Sequence, residues 1–591
     1  MASKRKAGIL TAAFMSVAMA TAQAGPKPPA PPQEGSHQIR HVLLISIDGM
    51  HAVDFANCVA SKTCPTLAEL GENGVTYTRT TTSRPSDSFP GLMALVTGGT
   101  PRTVGAYYDV AYDRVLAAPK VHTGNGLPGE DQGSQYACKQ SQINGTQTEY
   151  EEGDEYNQTL LNGGNPVAAS FIDGGWQAID PDHLIRDPFN GCKPVYPWNF
   201  VRTNTIYGVI HKAGGYTAWS DKHAVYAVVS GPTGTSVPSN VDDYYSPEVN
   251  SNQVPIPGLT TAGTNFDCST LVAGTGNDFT TDFDAIKCYD QLKVNAVVNW
   301  INGKSHLGAS KLPSGAPAIF GMNFQAVSVG EKLIENGVKG GYTDAAGDPT
   351  PAMAGEIKFV DAAIGQMVAA LENEHLLNST AIIISAKHGQ SPIDTNRFFP
   401  IPGHSGLNGE PPSAAVSSLL PAVFNDPNNG LGIAEDDISQ LWLADETRTL
   451  DAVAALEANG TAIGLGQIYY GGSLTTLFNP PGVPEHPGPC CKLREGGDPR
   501  TPDIVVIPNV GVVYTGSTKK QSEHGGYAWD DTNVMMLVSN PHLQTKTSHA
   551  FVETPQIAPT ILQLLGLDPN DLDAVKAEGT AVLPDLVFGG E

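Results

Sequence analysis

Four places in the sequence put chemically capable polar side chains beside an apolar run or a tight turn. Asp48 follows HVLLISI, Lys387 and His388 follow AIIISA, and His524 precedes two glycines. Ser88 stands in the turn that leads into FPGLMALV. A carboxylate and two imidazoles can bind a divalent ion, and a serine hydroxyl beside such an ion can act as a nucleophile. Each signal is weak alone, because an Asp before Gly usually forms a turn and a lone His is usually structural.

Longer patterns around these residues indicate an α/β fold. Segments 41–51, 316–328 and 380–390 are apolar runs that end in polar residues, as buried parallel strands do. Segment 355–376 has the apolar spacing of an amphipathic helix. Because open sheets carry their sites at the carboxyl ends of strands, the polar groups should meet at one edge. The sequence therefore predicts a mostly parallel central sheet flanked by helices, with long loop-rich insertions over the cleft.

The N-terminal part of the chain is expected to lie outside the catalytic domain. Residues 1–24 have the basic start, apolar run and small-residue cleavage site of a signal peptide, and residues 25–37 form a Pro-rich linker. Residues 38–591 are predicted to form one catalytic domain. Insertions that shape or cap a cleft are expected near 118–200, 228–285 and 395–500. The apolar run of the leader is too short to span a bilayer, so the mature protein should be secreted or periplasmic.

The charge of the chain limits its partners. The 591 residues include 60 acidic and 34 basic ones, which gives a net charge of −26. This excess argues against binding nucleic acid or an anionic membrane through bulk electrostatics. We expect a small anionic substrate, attracted by a local positive centre such as a metal ion or a buried lysine. The sequence predicts no nucleic-acid-binding module and no membrane span, and it does not indicate an oligomeric state.

The cysteines favour disulfides over zinc binding, because none of the eight forms a CxxC pair and the chain is predicted to be exported. Two pairs are near enough in sequence to close local loops: Cys58 with Cys64, and Cys268 with Cys288. The vicinal residues Cys490 and Cys491 lie in a Pro/Gly-rich stretch. For them, disulfides to other cysteines are favoured over redox chemistry.

Several segments resemble the phosphodiesterase/nucleotide-pyrophosphatase branch of the alkaline-phosphatase superfamily. LLISIDGM resembles its opening strand with a metal-binding Asp, and RPSDSFPGLMALVTGG resembles its nucleophile segment. GAYYDVAYD, FVDAAIGQMVAAL, AIIISAKHGQ, SEHGGYAWDD and QIAPTILQLLGL follow in the order of the family. The resemblance spans nearly the whole mature chain. It implies the alkaline-phosphatase-like form of the α/β fold predicted above.

The resemblance also implies a function and a site. It predicts an exported hydrolase of phosphate esters, of a phosphodiester or nucleotide pyrophosphate, that acts through a covalent phospho-serine at Ser88. It implies a divalent metal, zinc, with Asp48, Ser88, His388 and His524 as ligands. His524 would lie on the leaving-group side.

Ser88 has a competing structural role as the N-cap of the helix that follows it. Ser86 and Asp87 are equally good caps, which favours Ser88 as the nucleophile. At the start of a helix, backbone N–H groups would also point at the phosphoryl oxygens.

Three departures from the family pattern change the expected metal site. Lys387 holds the place of an Asp ligand, and Asn323 or Gln325 stands near the place of another. Glu331 stands where a His would complete the site of a second ion. Whether Asn323, Gln325 or Glu331 contributes to such a site stays open. One ion is therefore favoured over two, with Lys387 as a catalytic second positive charge. Gly91 replaces an Asn that holds the phosphate, and is expected to lie at the substrate.

Two further clusters have alternative interpretations. Asp221, Lys222 and His223 follow a strand-like segment, and Lys222 is predicted to bind substrate, although a solvated loop is the alternative. Asp530 and Asp531 follow the late histidine, where a turn is favoured over metal binding.

Other functions remain as alternatives. Sulfatases of the same superfamily combine one metal with lysines, although their C/S-x-P-S/A-R segment is missing from this sequence. A phosphomonoester hydrolase is a third possibility. The altered ligand positions also permit a non-catalytic member that binds a phosphorylated ligand.

Overall fold

An eight-stranded sheet forms the centre of the fold. Its strands, in chain order, are β1 (His41–Ile47), β2 (Gly74–Thr81), β3 (Ala218–Ser220), β4 (Asp243–Tyr245), β5 (Ile319–Phe324), β6 (Thr380–Ser385), β7 (Met536–Ser539) and β8 (Lys546–Glu553). The order across the sheet is β4-β3-β5-β1-β6-β7-β2-β8. All neighbours are parallel except that β7 runs antiparallel to β6 and to β2. The predicted mostly parallel sheet is confirmed.

A computed structural model describes residues 39–122, 130–131, 138, 145–149, 175–273, 276–402, 411–420, 433–478 and 498–589. These residues group into one unit. The described residues exclude the predicted signal peptide, the predicted linker, Cys490 and Cys491. They also exclude parts of the insertions predicted at 118–200 and 395–500. The statements about these segments therefore stay predictions. Every helix within the described ranges is too short or too polar to cross a bilayer.

Helices pack on both faces of the sheet. The main ones are α1 (Ala52–Ala60), α2 (Pro65–Glu72), α3 (Ser88–Thr97), α4 (Phe283–Ile301), α5 (Ala326–Lys332), α6 (Pro351–Asn373) and α7 (Ile557–Leu564). Further helices span Pro101–Val104, Pro197–Phe200, Ile206–Lys212, Pro412–Ala415, Thr449–Ala458, Ser473–Leu477, Trp529–Thr532 and Asp573–Glu578. Thr350 accepts a hydrogen bond from Met353 N and so caps α6, which has Pro351 in its first turn.

Strand β1 contributes to two apolar cores. Leu43 and Ile45 join the core that α4 and α6 cover, whereas Val42 and Leu44 join the core beneath α3 and α7. Successive side chains of a strand point to opposite faces, so both faces of β1 are buried. This burial explains why β1 is a continuous apolar run in the sequence.

A second, four-stranded antiparallel sheet overlaps the insertion predicted at 395–500. Its strands are Ile433–Glu435, Ser439–Leu441, Leu465–Tyr470 and Ile504–Pro508. It has its own apolar core, with Leu441, Leu456 and Ile504 fully buried. The sequence indicated mainly loop at 395–500, and two of these strands, Ile433–Glu435 and Ser439–Leu441, have only three residues, too few to show alternation.

Five two-stranded ribbons complete the described strands. They pair Val110–Asp113 with Thr146–Glu149, Val121–His122 with Glu130–Asp131, Arg186–Asp187 with Lys193–Pro194, Ile334–Glu335 with Val338–Lys339, and Phe399–Ile401 with Val512–Tyr514.

Both local disulfides predicted from the sequence are present, Cys58–Cys64 and Cys268–Cys288. A third joins Cys138 to Cys192 across 54 residues. Sequence spacing gave no indication of this pair, because its partners come together only through the fold.

Candidate active site

The predicted site residues meet at one edge of the central sheet. Four adjacent strands deliver them: Lys222 after β3, Asn323 and Gln325 at the end of β5, Asp48 after β1, and Lys387 with His388 after β6. The carboxyl ends of neighbouring parallel strands lie side by side, which is why open sheets hold their sites there.

The start of α3 leaves the Ser88 hydroxyl free for chemistry. Asp87 is the N-cap, and its Oδ2 accepts a hydrogen bond from Phe89 N at 3.3 Å. Ser86 Oγ donates to the carbonyl of Asp531 at 2.6 Å. The two other candidates for the cap are therefore engaged in local structure, and the capping role predicted as an alternative for Ser88 belongs to Asp87.

The Ser88 hydroxyl lies between an imidazole and an amine. Its Oγ is 3.0 Å from His388 Nε2 and accepts a hydrogen bond from Lys222 Nζ at 3.1 Å. Burial, and then the neighbouring His524, lower the pKa of His388 to about 4, so its imidazole is neutral near pH 7. Burial, and then the charge of Lys387, lower the pKa of Lys222 to about 7.

Lys387 is fully buried between two carboxylates. Its Nζ is 3.4 Å from Asp48 Oδ2 and 3.3 Å from Asp221 Oδ1. The same Nζ lies 4.4 Å from the ring centroid of Tyr226, and Lys222 Nζ lies 5.7 Å from it. An aromatic face favours nearby cations, so Tyr226 helps to hold both amines at the site.

Asp48 receives hydrogen bonds on both carboxylate oxygens. Asn323 Nδ2 donates to Oδ1 and Gln325 Nε2 donates to Oδ2, each at 2.7 Å. Burial by itself would raise the pKa of Asp48, but the charge of Lys387 holds that pKa well below its usual range. Asp48 is therefore an ionised carboxylate.

Three donor atoms at this edge fit one metal ion. His388 Nε2 lies 3.5 Å from Asp48 Oδ2 and 3.0 Å from Ser88 Oγ. Two ligands of one tetrahedral zinc ion lie about 3.3 Å apart, given bonds of about 2.0–2.1 Å. Both distances are compatible with binding to a shared ion, and the role of Asp48, His388 and Ser88 as metal ligands stays a prediction.

Asn323, Gln325 and Glu331 do not direct ligand atoms toward a second ion at this edge. Asn323 and Gln325 turn their NH2 groups, which are donors, toward Asp48. Glu331 lies elsewhere, beside His51 and Tyr342. Glu331 instead forms a group with His51 and Asp54. One possible ligand atom from each of the three lies within 4.8 Å of those of the other two.

His524 lies next to this centre, and its Nδ1 faces Asp87. Its ring centroid is 4.0 Å from that of His388, and its Nδ1 is 3.3 Å from Asp87 Oδ1. Burial lowers the pKa of His524 to about 3, which keeps the ring neutral. Its predicted role as a metal ligand stays a prediction.

Close packing explains why residue 91 is a glycine, and the sequence did not indicate this packing. A Cβ at this position would lie 2.3 Å from the carbonyl oxygen of Lys387. Only a glycine lets α3 approach the backbone at the end of β6 so closely. The contact helps to place Ser88 beside His388, while the predicted contact of Gly91 with substrate stays a prediction.

Asp530 and Asp531 lie in the short helix Trp529–Thr532 and accept hydrogen bonds from backbone N–H groups. Asp530 Oδ2 accepts from Ile393 N at 3.0 Å, and Asp531 Oδ1 accepts from Gly526 N at 3.2 Å. Both residues therefore lie in a helix instead of the turn that was favoured for them. Sequence reasoning missed Tyr226, because a tyrosine inside the apolar run AVYAVV carries no signal of a site.

A protein family model matches more than half of the chain. The family model described as type I phosphodiesterase / nucleotide pyrophosphatase matches residues 42–243 and 339–532. No curated protein sequence matches the chain.

Among solved structures, murine ectonucleotide pyrophosphatase / phosphodiesterase 5 is similar at 14% identity and a TM-score of 0.48, covering 93% of this chain and 97% of that one. The human protein of the same name is similar at 12% identity and a TM-score of 0.47, covering 89% and 95%. Because the family model matches more than half of the residues of this chain, the chain belongs to the type I phosphodiesterase / nucleotide pyrophosphatase family and is a hydrolase of phosphate esters.

Proposed function

We propose that the protein hydrolyses a phosphodiester or a nucleotide pyrophosphate through a phosphorylated Ser88. The position of the Ser88 hydroxyl is the observation that supports this most directly. It lies 3.0 Å from His388 Nε2 and 3.1 Å from Lys222 Nζ, and Asp87 leaves it free of a capping role.

The reaction proceeds in two displacements. In the first, the Ser88 hydroxyl loses its proton as a bond forms from Oγ to phosphorus, the bond to the leaving oxygen breaks, and the leaving group takes up a proton. In the second, water attacks the phospho-serine, which restores the hydroxyl and releases the phosphoryl group. His524, whose ring lies against His388, acts on the leaving-group side.

The buried amines stabilise the charge that develops in these steps. Lys222 donates a hydrogen bond to Ser88 Oγ and so favours its ionised form. Lys387, fully buried, supplies a positive charge for the phosphoryl oxygens, and charge is effective in such a water-poor site.

A single divalent ion, zinc, belongs to this proposal. Asp48, His388 and Ser88 would hold it, and when bound it supplies a charge that stabilises the serine alkoxide. The local positive charge also explains how a chain with a net charge of −26 could attract an anionic substrate.

The proposal is tested with the purified mature chain on matched aryl substrates: a phosphodiester, a phosphomonoester and a sulfate ester. We expect the diester to have the highest kcat/KM, by about tenfold or more, and a chelator to remove most of this activity. Faster turnover of the sulfate ester would instead assign the site to sulfate. Absence of turnover on all three, together with ligand-induced stabilisation, would make the protein a binder.

We further propose that the chain is exported and loses its signal peptide after Ala24. The three described disulfides support this, because disulfides persist in oxidising compartments. When the full-length chain is expressed with an active export pathway, the purified product should begin at Gly25. Recovery of the uncleaved chain in the cytoplasm would contradict export.

A further inference from the structure

A second buried polar cluster lies behind the end of β1, apart from Ser88. His51 immediately precedes α1, Asp54 lies in the first turn of that helix, and Glu331 lies on α5. Tyr342 completes the group from a loop. The four residues are 1%, 2%, 1% and 5% exposed, respectively, so their polar atoms must be satisfied inside the protein.

The donor atoms of this cluster surround a common point. His51 Nδ1 lies 3.0 Å from Asp54 Oδ2, 3.3 Å from Glu331 Oε1 and 2.9 Å from the Tyr342 hydroxyl. The same hydroxyl lies 2.7 Å from Glu331 Oε1 and 3.1 Å from Asp54 Oδ2. Ligands of a tetrahedral zinc ion lie about 3.3 Å apart, so an outward shift of a few tenths of an ångström would admit an ion.

Two buried oxygens of the cluster lack partners. Asp54 Oδ1 and Glu331 Oε2 have no hydrogen bond, although Asp54 Oδ2 also accepts one from His51 N at 2.8 Å. Within the described residues, no lysine or arginine pairs with either carboxylate; the ion pairs they form are with His51. Two buried carboxylates thus share one imidazole, and a divalent ion would balance their charge while leaving the imidazole neutral.

The backbone at Gln390 can support a metal-binding His51. Its carbonyl oxygen lies 2.9 Å from His51 Nε2, and its N–H lies 3.0 Å from the same atom. When Nε2 carries the proton and donates a hydrogen bond to this carbonyl, the Nδ1 lone pair is directed at Asp54 and Glu331. Histidines that bind metals commonly donate their other ring N–H to a carbonyl in this way.

We propose that His51, Asp54 and Glu331 bind a zinc ion that is separate from the ion at Ser88, with the Tyr342 hydroxyl beside it. One imidazole and two carboxylates suit zinc, whereas calcium and magnesium prefer oxygen ligands alone. His51 lies three residues after Asp48, and Gln390 lies two after His388. The ion therefore ties together the ends of β1 and β6 that carry the catalytic centre.

The test counts zinc in protein purified from zinc-supplemented cultures. The His388→Ala variant removes a ligand of the proposed catalytic ion, so the zinc that it retains reports on the His51 cluster. After native dialysis against EDTA, we expect about one zinc per chain in His388→Ala, released when the chain is unfolded. We expect none in the double variant His388→Ala/Glu331→Gln.

Asp361→Asn is the matched control, because Asp361 is a buried carboxylate that accepts hydrogen bonds from Leu67 N and Thr66 N outside the cluster. In the His388→Ala background it should keep its zinc. Asp54→Asn serves as a second variant if Glu331→Gln does not fold.

If circular dichroism shows that His388→Ala is folded and this variant contains no zinc, the proposal is overturned. The His51 cluster would then be held by hydrogen bonds without a metal. Equal zinc in His388→Ala with and without Glu331→Gln would also overturn it. Neither result depends on turnover, so the proposed function is judged separately.

Discussion

Replacing Ser88 with alanine is expected to lower kcat by at least about 10⁴-fold, because it removes the proposed nucleophile. Stability should change by only about 1 kcal/mol, since the hydroxyl contacts His388 and Lys222 and does not cap α3. Steady-state rates on the best diester and thermal melting of both proteins check this expectation.

Ser86→Ala is the matched control for this experiment. Ser86 is also buried, but its Oγ bonds to the carbonyl of Asp531 and to Thr82, not to His388. It should lose some stability and keep its turnover. Acid-quenched wild-type protein should carry phosphate on the peptide that contains Ser88. If Ser88→Ala remains active while phosphate is found elsewhere, another residue is the nucleophile.

Replacing Lys387 with alanine is expected to depress kcat by about 100-fold or more, the usual effect of losing one well-placed electrostatic contact. Lys387 Nζ lies 3.4 Å from Asp48 Oδ2 and 3.3 Å from Asp221 Oδ1. The same change therefore removes the cation that these two carboxylates share. Stability should therefore also fall, by about 3 kcal/mol or more. Lys387→Asp should recover part of the turnover only when zinc or manganese is added, because it restores a carboxylate ligand.

A matched control separates these two effects of Lys387. Lys287 is another buried lysine that bridges two carboxylates, at 2.9 Å from Asp284 Oδ1 and 3.4 Å from Glu356 Oε1. Lys287→Ala should lower the melting temperature but leave kcat of the folded protein unchanged. Wild-type turnover in Lys387→Ala, with or without metal, would place Lys387 outside the chemistry.

Some elements escaped sequence analysis for identifiable reasons. Helix α4 buries Lys287, Asp290 and Lys293, so charged residues interrupt its apolar pattern. Strand β8 lies at the edge of the sheet and exposes several of its residues, which leaves little apolar signal. Both elements owe their stability to packing partners that lie far away in the chain.

Local sequence alone determined the strands β1 and β6, the helix α3 and the polar residues that follow or begin them. Continuous apolar runs and glycine or proline boundaries are properties of neighbouring residues, so they can be read without the fold. The order of the motifs was also sufficient to predict the family.

Only the tertiary structure decided how those residues work together. It made Asp87 the cap and left Ser88 free, and it brought Lys222 to Ser88 across 134 residues. It placed Glu331 beside His51 instead of at the catalytic edge. Strand order and close packing determine such contacts, and both arise from burial between segments distant in sequence, which no local pattern records.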